Sequence, residues 1–209
     1  MSQAADESLL PPEDAGTLRR FPSLSLGTEQ LLWRVHRSDL HPAHFSQKGE
    51  FRFDPPVHSR SEFGTCYTAL DPLCAFMETL SRFNPIPQRI VDERALSGLL
   101  PARRMRVADL TDPSVIGDFG IKGDLSTGGD YRAPQAWAAA LRTAGFDGLQ
   151  YIARHDPSAN MRSIAIFGPP GEQPDMFQQL KDTGPIPVEV LLRARDVFHV
   201  IVLPAAPLP

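Results

Sequence analysis

The stretch Gly64-Thr65-Cys66-Tyr67-Thr68-Ala69-Leu70-Asp71-Pro72-Leu73-Cys74-Ala75-Phe76-Met77-Glu78-Thr79-Leu80 changes period partway along, and the change decides how the rest of the chain is read. Residues 66–69 have the short composition of a strand bounded by polar and small residues. From Asp71 onward the spacing is helical, with Leu73, Phe76, Met77 and Leu80 recurring on one face. Asp71-Pro72 marks the start, because an aspartate side chain accepts the free N–H groups of a first turn and proline is tolerated there. The same phase sets Glu78 opposite the apolar stripe, beside the small Cys74 and Ala75 and four residues before Arg82. Two readings of Glu78 follow: a solvated pair with Arg82 worth roughly 0.3–0.5 kcal/mol, or a carboxylate kept for chemistry.

Towards the N-terminus, residues 31–35 read as a strand. Residues 51–53 read as a second, short one that stops at Pro55-Pro56, where the ladder loses its donors. Residues 54–63 form a loop of mixed charge. Residues 1–27 are polar and Pro-rich without an apolar period, which predicts a flexible arm before a single domain over 28–203. On the other side, 105–110 reads as a strand, 122–130 as a Gly-rich loop, and 134–144 as a helix closed by Gly145. Trp137 reads as core. Residues 149–153 and 161–167 are expected to pair as an antiparallel hairpin across a loop of turn formers, 154–160. Residues 188–192 and 198–203 read as further strands, and 204–209 as a frayed tail. No internal repeat is present.

Composition narrows the function classes. With 209 residues, 42% hydrophobic and 22% charged, the chain can bury one sizeable core. No apolar run approaches the roughly 18–20 residues that span a bilayer, and the N-terminus lacks the basic and apolar regions of a secretory signal. A cytoplasmic protein with no membrane partner is therefore expected. Cys66 and Cys74 match neither a redox pair nor a zinc site, and His41 and His44 are the only close histidine pair, so no metal is expected. A net charge of -4 argues against nucleic acid as a direct partner, although 18 of the 21 basic residues are arginine. Neither a Rossmann nor a P-loop fingerprint occurs.

Four polar residues sit in order on or beside short apolar segments: Arg34, Arg52, Tyr67 and Glu78. Guanidinium forks pair with phosphate oxygens, an aromatic face stacks on a planar ring, and a carboxylate stabilises an oxocarbenium-like centre. Such a set suits a charged dinucleotide whose glycosidic bond is broken. Taken singly, each of the four also fits an ordinary structural role.

The runs WRVHR (33–37), FRFDPP (51–56), GTCYTALDPLCAFMETL (64–80) and DGLQYIARHDPSANMRSIAIF (147–167) resemble the RES-domain family, over residues 31–168. The resemblance implies an α+β, ADP-ribosyltransferase-like fold of mostly antiparallel sheets flanked by helices. It also implies a toxin that degrades NAD+, taken as substrate rather than cofactor, and that a helix-turn-helix antitoxin neutralises. Arg34 and Arg52 would then bind the pyrophosphate, Tyr67 would stack by the nicotinamide, and Glu78 would stabilise charge developing on the ribose. Nicotinamide is already cationic within NAD+, so it departs as a neutral ring and needs no general acid. The acceptor is water or phosphate; a macromolecular acceptor, giving an ADP-ribosyltransferase, and a binding module without turnover are the rival readings. One departure stands out: the family serine aligns with Ala153, leaving Ser158, Ser163, His155 or Asn160 to substitute. The family glycine before the second arginine is also absent at Phe51.

Overall fold

A computed structural model describes residues 10–12 and 14–204. Residues 1–9 of the expected arm and 205–209 of the expected tail lie outside the described residues. In chain order the elements are α1 (Ala15–Leu18), β1 (Ser23–Leu26), β2 (Leu32–Arg37), β3 (His44–Phe45), β4 (Gly64–Ala69), α2 (Pro72–Leu80), β5 (Ile86–Pro87), α3 (Gln88–Asp92), β6 (Arg94–Pro101) and β7 (Met105–Asp109). There follow α4 (Ser114–Phe119), α5 (Asp124–Thr127), α6 (Arg132–Thr143), β8 (Gly148–Ile152), β9 (Arg162–Gly168), β10 (Gly171–Glu172), β11 (Phe177–Pro185), α7 (Val188–Phe198) and β12 (Val202–Leu203). Eight strands form one sheet in the order β1-β7-β8-β9-β4-β2-β6-β11, antiparallel throughout except between β7 and β8. This is the mostly antiparallel α+β architecture expected.

A parallel pair needs a crossover long enough to bring the chain back over the sheet, and α4, α5 and α6 supply it between β7 and β8. The inward face of α6, with Ala133, Trp137, Ala138 and Leu141, packs with Leu149, Tyr151, Ala165 and Phe167 of the sheet. Gly145 ends the helix at φ +89°, a left-handed backbone that favours glycine. A second cluster joins α2 and α7 to Val35, Ala69 and Leu96. A third draws on alternate strand residues, Leu32, Cys66, Leu99, Ile164 and Ile166. Because β9 sends Ala165 and Phe167 into one cluster and Ile164 and Ile166 into another, both faces of the sheet centre are covered.

The feature that creates a site is a fault in the sheet. β2 pairs with β6 over six positions and β4 with β9 over six, yet β2 and β4 share one pair, Trp33 with Ala69. The two strands diverge from that point and leave a gap between them.

Several expectations need correction. Ser23–Leu26 and the buried Leu18 and Phe21 belong to the sheet and its core, so the domain begins before residue 28. Their apolar residues are too few to show a period, but they cover the edge of β7 and the end of α6. Residues 51–53 form a turn, not a strand, because the Asp54 carboxylate takes the Glu50 and Phe51 amides that a ladder would need. Residues 188–192 open α7: Val190 and Ala194 are its buried face, and the surrounding valines and leucines mimic a strand. Of the strand expected over 198–203, only Val202–Leu203 pairs, with β5.

Candidate active site

A narrow cleft of about 20 Å³ lies at the divergence, lined by Trp33, Arg34 and Val35 of β2, Tyr67 and Thr68 of β4, Ala75, Glu78 and Thr79 of α2, and Tyr151 of β8. Glu78 is on its wall for a local reason. Asp71 caps α2 through the Leu73 and Cys74 amides, and the helix is buried on the faces of Leu73, Cys74, Ala75, Phe76, Met77 and Leu80. The side expected to meet solvent therefore meets the cleft. Glu78 makes no pair with Arg82, whose guanidinium lies over the Phe83 ring at 4.8 Å. Instead its Oε2 accepts from the Tyr151 hydroxyl at 3.0 Å and its Oε1 from the Arg154 amide at 3.0 Å. Burial pushes the Glu78 carboxyl up from its ordinary range, against the pull of those two donors and of the Arg52 and Arg154 charges. Tyr151, raised well above the usual phenol by burial and by the Glu78 charge, stays a neutral donor.

Arg52, in the turn before β4, does not line the cleft but lies close enough for its charge to act on Glu78. It is 7% exposed, lies over the Tyr131 ring at 4.9 Å, and donates from Nη1 to the Leu125 carbonyl at 3.3 Å. Its Nη2 is buried with no hydrogen-bond partner. A buried donor left unmade costs about 1–3 kcal/mol, and folded proteins keep few of them. Among the described residues, His44 Nδ1, Arg60 Nε and Ser81 Oγ share this state. Burial lowers the Arg52 pKa, with the Arg154 charge acting in the same direction, while Glu78 and two tyrosines oppose them. His155, half-buried in the loop after β8, is lowered by burial and by the Arg154 and Arg52 charges, which keeps it neutral. Arg52, Glu78, Tyr151, Arg154 and His155 thus form one electrostatic group.

Other expected residues are placed differently. Strand alternation gives Arg34 the face of Cys66 rather than that of Tyr67, and its Nη1 donates to the carbonyls of Pro42 and His44 at 2.8 and 2.7 Å and to the Cys66 sulfur. Arg34 lines the cleft but does not join Arg52. Tyr67 presents its ring there, edge-on to Phe51 with centroids 5.7 Å apart, while its hydroxyl donates to Asp54 and accepts from the Phe53 amide. Asn160 is exposed and donates to the Ser158 hydroxyl, away from the group. Ser158 donates to Asp156 in an outer loop, whereas the fully buried Ser163 lies against the Cys74 sulfur and hydrogen-bonds the Tyr151 side chain, one step from Glu78. Tyr151 and the Arg154 amide were missed in the sequence. Tyr151 lies within the family-like run, but only the β8–β9 register and the path of α2 bring it to Glu78. Among the described residues, no group of three or more His, Cys, Asp or Glu side chains could hold a metal, and no helix is long and apolar enough to cross a membrane.

The divided sheet, with a carboxylate and aromatic rings at the division and a buried guanidinium nearby, belongs to a mostly antiparallel α+β fold flanked by helices. The RES-domain model matches residues 31–188, and the chain belongs to the RES-domain family. The fold also superposes on a chain of the M. tuberculosis MbcT–MbcA toxin–antitoxin complex with a TM-score of 0.63, at 17% identity, covering 93% of this chain and 100% of that one. A search of curated proteins finds no match.

Proposed function

We propose that this protein cleaves the nicotinamide–ribose bond of NAD+ and serves as the toxin of a toxin–antitoxin pair. The observation that carries the reading is Glu78, a carboxylate held between the Tyr151 hydroxyl and the Arg154 amide on the cleft wall, within reach of the Arg52 charge. The cleft encloses about 20 Å³, far below the roughly 300–1,000 Å³ of pockets that hold whole ligands, so NAD+ has to open it on binding. In the opened cleft the nicotinamide and its ribose would lie against Tyr67 and Glu78, with the pyrophosphate toward Arg52. In this pose the Tyr67 ring flanks nicotinamide, Arg52 and the neutral His155 hold the pyrophosphate, and Arg34 braces the turn before β3 instead of touching phosphate.

The bond between nicotinamide nitrogen and C1′ breaks with its electron pair going to the ring, which leaves neutral. Positive charge builds on the ribose, and the Glu78 carboxylate stabilises it. Water or phosphate then adds at C1′; water gives ADP-ribose and a proton, phosphate a phosphorylated ADP-ribose. NAD+ is a substrate here and no cofactor is required. The family and the fold shared with a toxin–antitoxin complex support a protein antitoxin as partner; that it is of the helix-turn-helix type, and that the site of action is cytoplasmic, belong to the proposal as the sequence resemblance implies them.

The test is chromatography of NAD+ incubated with purified protein, with and without phosphate. Free nicotinamide is expected, and the co-product identifies the acceptor. ADP-ribose attached to a protein in a lysate would move the assignment to a transferase, and absence of nicotinamide under every condition would reject the proposal.

A further inference from the structure

Asp54 is fully buried and no role in the chemistry above falls to it. Its carboxylate nevertheless accepts four hydrogen bonds. Oδ2 accepts from the Glu50 amide at 3.1 Å, the Phe51 amide at 3.2 Å and the Ser46 hydroxyl at 3.4 Å. Oδ1 accepts from the Tyr67 hydroxyl at 3.1 Å. The bonds around it run the same way: Tyr67 oxygen accepts the Phe53 amide at 2.8 Å, Thr65 donates to the Phe53 carbonyl at 2.8 Å, and Gln135 of α6 donates to the Gly49 and Phe51 carbonyls at 3.1 Å each. The turn 49–54 is therefore gripped from β4, from α6 and from within. What this turn displays is Arg52, with its free Nη2, and Phe51, edge-on to Tyr67.

We infer that Asp54 is a positioning residue for substrate binding: its carboxylate fixes the turn that aims Arg52 at the pyrophosphate and turns the Tyr67 hydroxyl away from the cleft. This rests on the NAD+ reading of the site. Burial pushes the Asp54 carboxyl up to about 6, with the Phe51 and Glu50 amides and the Tyr67 hydroxyl opposing the rise. The ionised group therefore subtracts stability as pH rises through that value, and the fold gains little by keeping it. Asparagine shows the difference. Its oxygen still accepts the Glu50 and Phe51 amides, but its NH2 faces a Tyr67 oxygen that already accepts from Phe53, so the Tyr67 end must rearrange.

The experiment measures steady-state nicotinamide release and calorimetric binding of ADP-ribose at pH 7.5. The proteins are wild type, Asp54→Asn, Asp54→Ala, Arg52→Lys and Asp54→Asn/Arg52→Lys, with melting temperatures recorded for each. For Asp54→Asn we expect KM for NAD+ and Kd for ADP-ribose to rise about tenfold, kcat to change less than about threefold, and the melting temperature to hold or rise. Asp54→Ala should lose more affinity, so that asparagine rescues in part. The double variant should be little worse than Arg52→Lys alone, because both changes act on the same contact. Wild-type KM in Asp54→Asn, or losses that multiply in the double variant, would overturn the assignment. If Asp54→Ala does not fold, the asparagine cycle decides. Wild-type protein that binds ADP-ribose but releases no nicotinamide would sink the catalytic reading and leave this one testable by affinity.

Discussion

Replacing Glu78 by glutamine separates activity from stability, because the structure gives opposite expectations for the two. The side chain keeps its length and an oxygen for the Arg154 amide, while the Tyr151 hydroxyl can turn to accept from the new NH2. Only the charge is lost. A unit charge about 4 Å from a developing cation, at an effective dielectric near 20, is worth about 4 kcal/mol. At about 1.4 kcal/mol per tenfold this is on the order of a thousandfold in kcat, so a loss of a hundredfold or more is expected. For stability the sign reverses. Burial holds the Glu78 carboxyl above its ordinary range, so the ionised form subtracts stability as pH rises from the unfolded to the folded value. At pH 7.5 the glutamine protein should melt at or slightly above the wild-type temperature.

Glu78→Ala supplies the contrast. It leaves the buried Tyr151 hydroxyl without its acceptor, at about 1–3 kcal/mol. For a chain of this size each kcal/mol shifts the midpoint by about 2–4 °C. Alanine should therefore be as inactive as glutamine but melt lower, by on the order of 2–12 °C. The assay is initial-rate nicotinamide release at saturating NAD+, paired with thermal unfolding. A glutamine variant that turns over at the wild-type rate would remove Glu78 from the reaction and with it the proposed site. Activity loss that merely tracked melting temperature across the two variants would reduce Glu78 to a structural residue.

Three further outcomes follow from the same geometry. Arg34→Met removes the donor to the Pro42 and His44 carbonyls and should lower the melting temperature by several degrees, while KM for NAD+ rises less than in Arg52→Lys; an equal rise would return Arg34 to the anion site. Tyr151→Phe deletes a hydrogen bond that lowers the Glu78 pKa, so the acid limb of the kcat–pH profile should move to higher pH; an unmoved limb would show that Glu78 is not the titrating group. Ala153→Ser restores the family hydroxyl beside a carboxylate that Tyr151 and the Arg154 amide already orient, and kcat should stay within about threefold; a tenfold gain would mark the natural site as impaired.

What was legible in the sequence is what depends on neighbours a few residues away. The Asp71-Pro72 cap, the Leu73, Phe76, Met77 and Leu80 stripe, the β8–β9 hairpin and the glycine that ends α6 all follow from local spacing and turn chemistry. The phase that singled out Glu78 was right, and its surroundings were wrong. A helix wheel says which residues share a face, but not that α7 and the sheet cover a helix from two sides. The same limit applied to α7, where Val188, Val190 and Val197 carry strand propensity and the partner surface decides for helix. For the turn at 51–53, Phe-Arg-Phe alternates like a strand, and only a side chain three residues along, Asp54, breaks the ladder.

Arg34 and Arg52 show most clearly where residue chemistry alone runs out. Both are arginines flanked by apolar residues, and sequence offers no means of ranking them as anion ligands. The backbone does. Arg34 sits inside a regular strand, so alternation commits it to one face, where nearby carbonyls of the 42–44 turn consume its Nη1. Arg52 sits in an irregular turn, whose carbonyls are already taken by Gln135 and Thr65, so its own guanidinium finds one acceptor and retains an unmade bond. Satisfaction of the turn by other side chains is thus what leaves Arg52 unsatisfied. The divergence of β2 from β4 acts in the same direction at the level of the sheet, since a full ladder there would close the gap in which Glu78 meets Tyr151. The chemistry is placed where regular hydrogen bonding stops, and those are the positions at which local sequence patterns carry the least information.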